Sequence, residues 1–409
     1  MTSPEPTQVR CCIAGGGPAG MMLGFLLARA GIDVIVLEKH KDFLRDFRGD
    51  TIHPSTLELM HELGILDEFL KRPHQELRQL SGQVGDELIP LVDFSHLPTK
   101  CKFLAFMPQW DFLDFLAGQG KEFPTFKLRL EAEVTRLLQN GSQITGVAAE
   151  TPEGTWEITA DLVVAADGRQ SIVRELAGLK VEELGAPIDV LWFRLPRSGS
   201  DPGQVLGRFV RGKIMIMLNR DDYWQCGFVI RKGGFAAMQE LGLEKFRADI
   251  VSIAPFLSDR VKNLQDWNEI KLLTVKVDRL RQWYRPGLLC IGDAAHAMSP
   301  VGGVGINLAI QDAVAAANLL TKSLADRTVT TADLHKVQQR RLLPTRITQA
   351  GQVFIQNEVL GRALGNAKAN SAPWFFRLLK HYAFLRRIPA RLIGIGIRAE
   401  HIKTPNVFG

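Results

Sequence analysis

Cysteine is scarce in this 409-residue chain, with Cys11, Cys12, Cys101, Cys226 and Cys290 as its five examples. An odd count without a C-x-x-C pair argues against a disulfide framework or a zinc site, and for reduced thiols in the cytoplasm. No metal is expected. Dense Lys/Arg blocks are missing, as is any platform of interleaved aromatics, so the net charge of +6 does not point to nucleic acid. A basic chain that binds anionic small molecules is the simpler reading. No internal repeat or low-complexity stretch occurs, and the start, MTSPEPTQ, is too short and polar for a secretory signal. Residues 11–28, CCIAGGGPAGMMLGFLLA, carry no charge and are long enough to raise a membrane helix. Three successive glycines and Pro18 break that pattern almost at once, so a buried strand, a tight turn and a buried helix fit better.

What is present reads as an α/β chain. Val9 to Ala14 is an apolar strand, Pro18 to Ala30 a helix stopped by Gly31, and Asp33 to Leu37 a second strand. Apolar Leu57, Met60, Leu63 and Leu66 extend a helical pattern from Pro54 to Leu70. Asn140-Gly141 and Pro152-Glu153-Gly154 separate three strand-like runs over 128–166, the last ending in DLVVAA. Residues 181–275 alternate apolar and polar, as in KIMIMLN and YWQCGFVI, which predicts a mostly antiparallel sheet with one covered face. The run GLLCIG is another strand before a helix from Gly305 to about Leu320, and the chain beyond 331 is helical and Arg-rich.

Three motifs carry chemistry. The first is Gly15-x-Gly17-Pro18-Ala19-Gly20, followed 18 residues later by Glu38. Glycines allow a tight strand-to-helix turn and a close approach of pyrophosphate to the backbone, and the helix N-terminus faces the phosphates. An acid ending the second strand can accept hydrogen bonds from ribose hydroxyls, and it disfavours a 2′-phosphate. The second is Gly292-Asp293 in CIGDAAHAMSPVGGVGINLAIQDA. Asp293 can hold a sugar-like hydroxyl chain, while glycines 302, 303 and 305 open a helix whose free N–H groups suit an anion; a capped helix after a flexible turn is the alternative. The third is Asp167-Gly168 in VVAADGRQSIVRELAG, which is also a strand-to-helix turn capped by Asp167 or Ser171.

In this order and spacing the three motifs resemble the FAD-dependent aromatic hydroxylases, the single-component flavin monooxygenases typified by para-hydroxybenzoate hydroxylase, over roughly residues 8–345. The resemblance implies a Rossmann-like FAD-binding domain of the GR2 type (1–75, 101–180 and 271–335), an inserted substrate domain (76–100 and 181–270) and a C-terminal helical region (336–409). It implies noncovalent FAD at Gly15, Gly17, Pro18, Ala19 and Gly20, with Glu38 and Lys39 at the adenosine end and Asp293 on the ribityl chain. Arg48 and Gln109 match further FAD-contacting positions, and Val134, Asp167, Gly168, Gly292, Pro300, Gly303, Gly305, Ile306 and Asn307 complete the implied cofactor shell. The backbone of Gly302, Gly303, Val304, Gly305 and Ile306 would lie at the flavin. Val304 stands where the family often has Gln, and no second dinucleotide fold is recognisable, so NADPH or NADH would bind transiently.

The implied reaction is hydride transfer to FAD, then oxygen addition to give a hydroperoxide whose distal oxygen passes to an apolar aromatic or polycyclic substrate. No catalytic side chain is obligatory in that scheme. His296 reads as packing scaffold before acid or base, and Met215, Met217, Tyr223, Trp224 and Phe228 as either pocket or core. A reductase or dehydrogenase of isoprenoid-like molecules, or a flavin-binding protein without turnover, are the competing readings; a W-x-W-x-I-P halogenase motif is missing. The chain would act as a monomer or homodimer. From residue 373 on there are seven Lys/Arg and Glu400 as the single acid. That segment reads as basic helices packed on the FAD domain, in preference to a peripheral membrane anchor.

Overall fold

The strand Thr7–Ala14 (β1) is apolar and buried on both faces from Cys11 to Ala14, because it sits in the middle of a parallel sheet. This is a computed structural model, and it describes residues 5–44, 50–85, 87–202, 207–210, 212–220, 222–361, 364 and 374–409. β1 pairs in parallel with Val34–Leu37 (β2) on one side and with Gly154–Ala165 on the other. Phe126–Arg129 and Leu288–Cys290 extend the two flanks, also in parallel. Between β1 and β2 runs the helix Pro18–Arg29 (α1), whose residues Ala19 to Ala28 are all buried. Gly24 lets it lie flat, since a Cβ there would come within 2.6 Å of Val36 Cγ2.

The three runs expected over 128–166 are Glu133–Asn140, Gln143–Thr151 and Gly154–Ala165. The last is longer than a hairpin arm. Its first half pairs antiparallel with Gln143–Thr151, and its second half, DLVVA, enters the parallel sheet. Helix expected from Pro54 to Leu70 is broken instead: Pro54–Glu62 ends at Gly64, which adopts φ 74°, and a short helix Leu66–Phe69 follows. Left-handed glycine after a helix closes its last turn, here through Gly64 N–H to His61 O and Ile65 N–H to Met60 O.

A second sheet of seven strands runs in the order Lys271–Leu273, Ile188–Pro196, Tyr223–Arg231, Lys213–Asn219, Gly207–Val210, Gln79–Val84 and Glu87–Asp93. It is antiparallel except where Gly207–Val210 lies beside Gln79–Val84. The amphipathic helix Leu243–Ile253 covers one face with Phe246, Ile250 and Ile253.

Helix Gly305–Ala325 packs on α1, and Thr331–Phe354, opened by a Thr330–Asp333 capping box, packs against it in turn. Among the described residues, Gly305–Ala325 lies within the one stretch long and apolar enough to cross a membrane, but 72% of that window is buried, which makes it a core helix. The C-terminal segment corrects an expectation. Its helices Trp374–His381 and Arg387–Gly394 pack on the edge strand Glu87–Asp93 of the second sheet, not on the first. Ala390 and Ile393 join Phe94, Leu97 and Leu104 in one apolar cluster. From Ile395 the chain is an extended strap that returns to the first sheet's helices, with His401 and Ile402 N–H on Glu62 and Val407 N–H on Arg29 O.

A buried charge network ties these layers together. Asp312 is fully buried and accepts from Gly292 N–H (3.1 Å), His296 Nε2 (2.6 Å) and Arg341 Nε (2.9 Å). Arg341 and Arg340 both reach Glu400 at the start of the strap. Burial pushes the Asp312 carboxyl up, but His296 and Arg341 outweigh it and hold it below the usual aspartate range. Its stabilising contribution is therefore full above the unfolded value of about 3.9 and disappears as pH falls through the lower folded value. Arg341→Met should cost about 3–5 kcal/mol by urea unfolding at neutral pH, because it strands a buried carboxylate. Asp312→Leu in the same chain should recover a large part of that loss; no recovery would mean that packing, not charge, makes Arg341 necessary.

Candidate functional site

The three sequence motifs converge because the strands that precede them end side by side. Ala14 is in register with Leu37 and with Ala165, and Ala165 with Cys290. Gly15, Asp167 and Gly292 therefore leave the same edge of the parallel sheet, the carboxyl edge where α/β sheets bind ligands. The glycine turn is constrained at two positions and open at one. Gly15 has φ 108°, and a Cβ on it would fall 2.3 Å from Ala166 O; a Cβ on Gly20 would fall 1.9 Å from Gly15 O. Around Gly17 nothing lies within 4 Å, so the backbone stays bare at the first turn of α1. Glu38 is fixed beside this turn, accepting from Gly16 N–H (3.0 Å) and His40 N–H (3.1 Å). Lys39 is on the rim near Glu133, 3.7 Å away, whereas Val134 is buried in the core.

Gly292, at φ 58°, is wedged between the two helices: a Cβ would meet Ala19 Cβ at 3.1 Å and Ala309 Cβ at 3.2 Å. This contact joins the first motif to the second. Asp293 beside it is half-exposed and faces Arg169 Nη2 at 3.4 Å, which joins the second to the third. Asp167 accepts from Val173 N–H through Oδ2, while Oδ1 is buried without a partner among the described residues. Burial raises the Asp167 carboxyl above its ordinary value. A bare cradle at Gly17, an orphaned carboxylate oxygen at Asp167 and a half-exposed acid at Asp293 along one sheet edge fit a pyrophosphate with its sugar chains.

The glycine loop lies on the adjoining side. Gly302 and Gly303 have φ of 80° and 64°, and Thr51 Oγ1 donates to Gly303 O at 3.3 Å. Pro300 O accepts from Gly303 N–H at 3.0 Å. Val304 is buried with Met298, Leu308 and Ile393, which explains an apolar residue there: the tail helix Arg387–Gly394 covers it. Ile306 is partly buried on the main core. Asn307 Oδ1 accepts from Ser55 (2.6 Å) and Thr56 (3.4 Å), so its side chain locks Pro54–Glu62 to the long helix. Gln109 begins the helix Gln109–Lys121, and its N–H bonds Asp50. Arg48 lies outside the described residues. His296 is scaffold, fully buried against Trp283 and Asp312.

The expected pocket residues need correction. Met215, Met217, Trp224 and Phe228 all point to the sheet face sealed by Phe246, Ile250 and Ile253. Of the five, Tyr223 alone has the opposite parity, where Arg194 lies over its ring. The opposite face carries Trp192, Ile214, Leu218, Gln225 and Val229, and it packs toward Phe106, Val301 and Leu360. Gly227 makes room there, since a Cβ would press on the Trp192 ring at 3.0 Å. The missed signal was the helix 243–253: its apolar side marks the face to which Met215, Met217, Trp224 and Phe228 point as core.

Two further groups join the sheets and were not singled out. Asp50 and Arg220 form a buried ion pair, with Arg220 Nε on Gln225 Oε1 at 3.1 Å and its guanidinium 5.1 Å over Phe106. Burial raises the Asp50 carboxyl in spite of that cation. His53 is buried beside the main chain of Thr51 and Gly302, and burial pushes it down to about 4, so it is neutral beneath the glycine loop at physiological pH.

Comparison with known proteins agrees with this geometry. The family model described as "FAD binding domain" matches residues 8–350. The chain is similar to 6-methylpretetramide 4-monooxygenase of Streptomyces rimosus, at 31% identity over 92% of this chain and 91% of that protein. It is also similar to para-nitrophenol 4-monooxygenase of a Pseudomonas strain, at 24% identity over 81% of this chain and 82% of the relative. Among solved structures, OxyS anhydrotetracycline hydroxylase from Streptomyces rimosus superposes with a TM-score of 0.73 at 25% identity, covering 95% of this chain and 76% of that one. The chain belongs to the FAD-dependent aromatic hydroxylases, the single-component flavin monooxygenases built on this FAD-binding domain.

Proposed function

We propose that this monooxygenase inserts oxygen into an apolar, polycyclic aromatic substrate held between the glycine loop and the face of the second sheet opposite the helix Leu243–Ile253. The observation that carries the reading is the apposition of an apolar sheet face, Trp192, Ile214, Leu218 and Val229, and the glycine-loop side, where Val301 packs against the cluster of Ile214 and Val229. Similarity to a 6-methylpretetramide monooxygenase and to an anhydrotetracycline hydroxylase supports fused-ring substrates. In this reading Gly15–Gly20 hold the FAD pyrophosphate, Glu38 the adenosine ribose and Asp293 the ribityl chain. When bound, FAD supplies the redox chemistry. The chain's own work is to bind, orient and exclude water: apolar side chains desolvate the substrate and hold it near the cofactor. The N–H groups opening the helix Gly305–Ala325 favour negative charge on the cofactor, worth up to about 2 kcal/mol in a partly buried setting.

The domain division given by the sequence, transient use of NADPH or NADH, and a cytoplasmic location belong to the same proposal; the five cysteines are all free and buried, as a reducing compartment allows. Two outcomes test it. Asp293→Ala should weaken FAD binding in apo-protein titrations by about 1–3 kcal/mol, the cost of leaving sugar hydroxyls without an acceptor. Equal affinity in variant and parent would remove Asp293 from the site. NAD(P)H oxidation, slow alone, should accelerate when polycyclic phenols or quinols are added, since reduction without substrate wastes the donor. A rate indifferent to every ring compound tried would contradict the substrate assignment.

A further inference from the structure

The C-terminal helices leave an outer surface that neither sheet covers. Arg387–Gly394 presses its inner side close to the body, where a Cβ on Gly394 would come within 2.7 Å of Leu97 Cδ1. Its outer side carries Ile388 and Leu392 at 59% and 52% exposure, and the turn leading into it continues the stripe with Phe384 at 60%. These residues stand four apart, so they form one ridge. Arg387 and Arg391, also four apart and exposed, form a basic ridge alongside. Tyr382, at 52% exposure, and exposed His381, Lys380 and Arg377 lie just before it. Lys380 Nζ meets Glu87 Oε1 at 2.6 Å, which brings exposed Leu88 to the edge of the same surface. Glu400, the one acid of the tail, is turned inward onto Arg340 and Arg341.

An apolar ridge beside a basic one is the pattern of a helix that lies in a lipid headgroup layer, with rings and aliphatic chains below the phosphates and guanidinium groups at them. We infer that the face formed by Phe384, Ile388, Leu392, Arg387 and Arg391 docks on an anionic membrane surface. Charge selects this occupant. A second copy of the chain would bring Arg387 and Arg391 against their own counterparts, and like charges facing each other oppose association. The inner side of the same helix reaches the glycine loop through Ile393 and Val304, so the docking face is one helix away from the reaction centre. The inference does not depend on which substrate the enzyme takes.

Flotation of the FAD-loaded protein with phosphatidylcholine vesicles, with and without phosphatidylglycerol, tests it. The expected result is recovery with the anionic vesicles, reversed by high salt. Arg387→Gln with Arg391→Gln should lower that recovery by about tenfold or more, and so should Phe384→Ser with Ile388→Ser. Both variants should keep the parent's flavin absorbance and its NAD(P)H oxidation rate in solution, because the four side chains are exposed and Arg387 meets the body at the surface residue His96. No recovery with either vesicle, equal recovery with neutral vesicles, or recovery untouched by the substitutions would overturn the inference. So would a concentration-dependent dimer abolished by Phe384→Ser with Ile388→Ser, which would assign the ridge to a second copy.

Discussion

The carboxylate of Asp312 is the constraint on which the rest depends. Buried charge is tolerated only when it is fully paired. Here it is paired by the backbone of Gly292 and the ring of His296, from one turn of chain, and by the guanidinium of Arg341 from a distant helix. Because Asp312 is two turns into the helix that the glycine loop opens, the same carboxylate sets the distance between that loop and the Gly292-Asp293 turn. Arg341 then carries the constraint outward to Glu400 and the C-terminal strap. A fully buried residue thus fixes the two halves of the second motif relative to each other.

The glycine loop is tied to the second sheet by a smaller version of the same device. Asp50 precedes the strand Thr51–Ile52, whose Thr51 bonds the glycine loop, and Arg220 follows the strand carrying Ile214 and Leu218. Their buried ion pair links the loop's neighbour to the second sheet, at a point where the neutral His53 ring lies beneath the loop. A site assembled from two sheets needs such a tie, since apolar contact alone would let the faces slide.

Much of the fold could be read from the residues, for identifiable reasons. Glycines at 15, 20 and 292 each face a backbone or a Cβ too close for any side chain, so their spacing encodes the turns directly. The long central strands are apolar on both faces, and the meander announces itself at Gly141 and Gly154, both with positive φ. The pocket was less legible. In Tyr223–Arg231 the residues of both parities are buried, the apolar set of Trp224, Cys226, Phe228 and Ile230 and the mixed set of Gln225, Gly227 and Val229 alike. Alternation marks the more apolar side, but only the position of helix Leu243–Ile253 shows that this side is sealed as core. The charge network was invisible for a different reason: Asp312, Arg341 and Glu400 meet over separations of 29 and 59 residues that no local pattern encodes.

The central claim is that this arrangement carries one atom of molecular oxygen into an aromatic ring, and isotope labelling tests it most directly. The FAD-loaded protein, supplied with NAD(P)H, labelled oxygen and a ring compound that accelerates donor oxidation, should give a product heavier by one labelled oxygen atom. Product that forms equally well without oxygen and carries no label would mean that the chain reduces or rearranges its ligand, and would contradict the account.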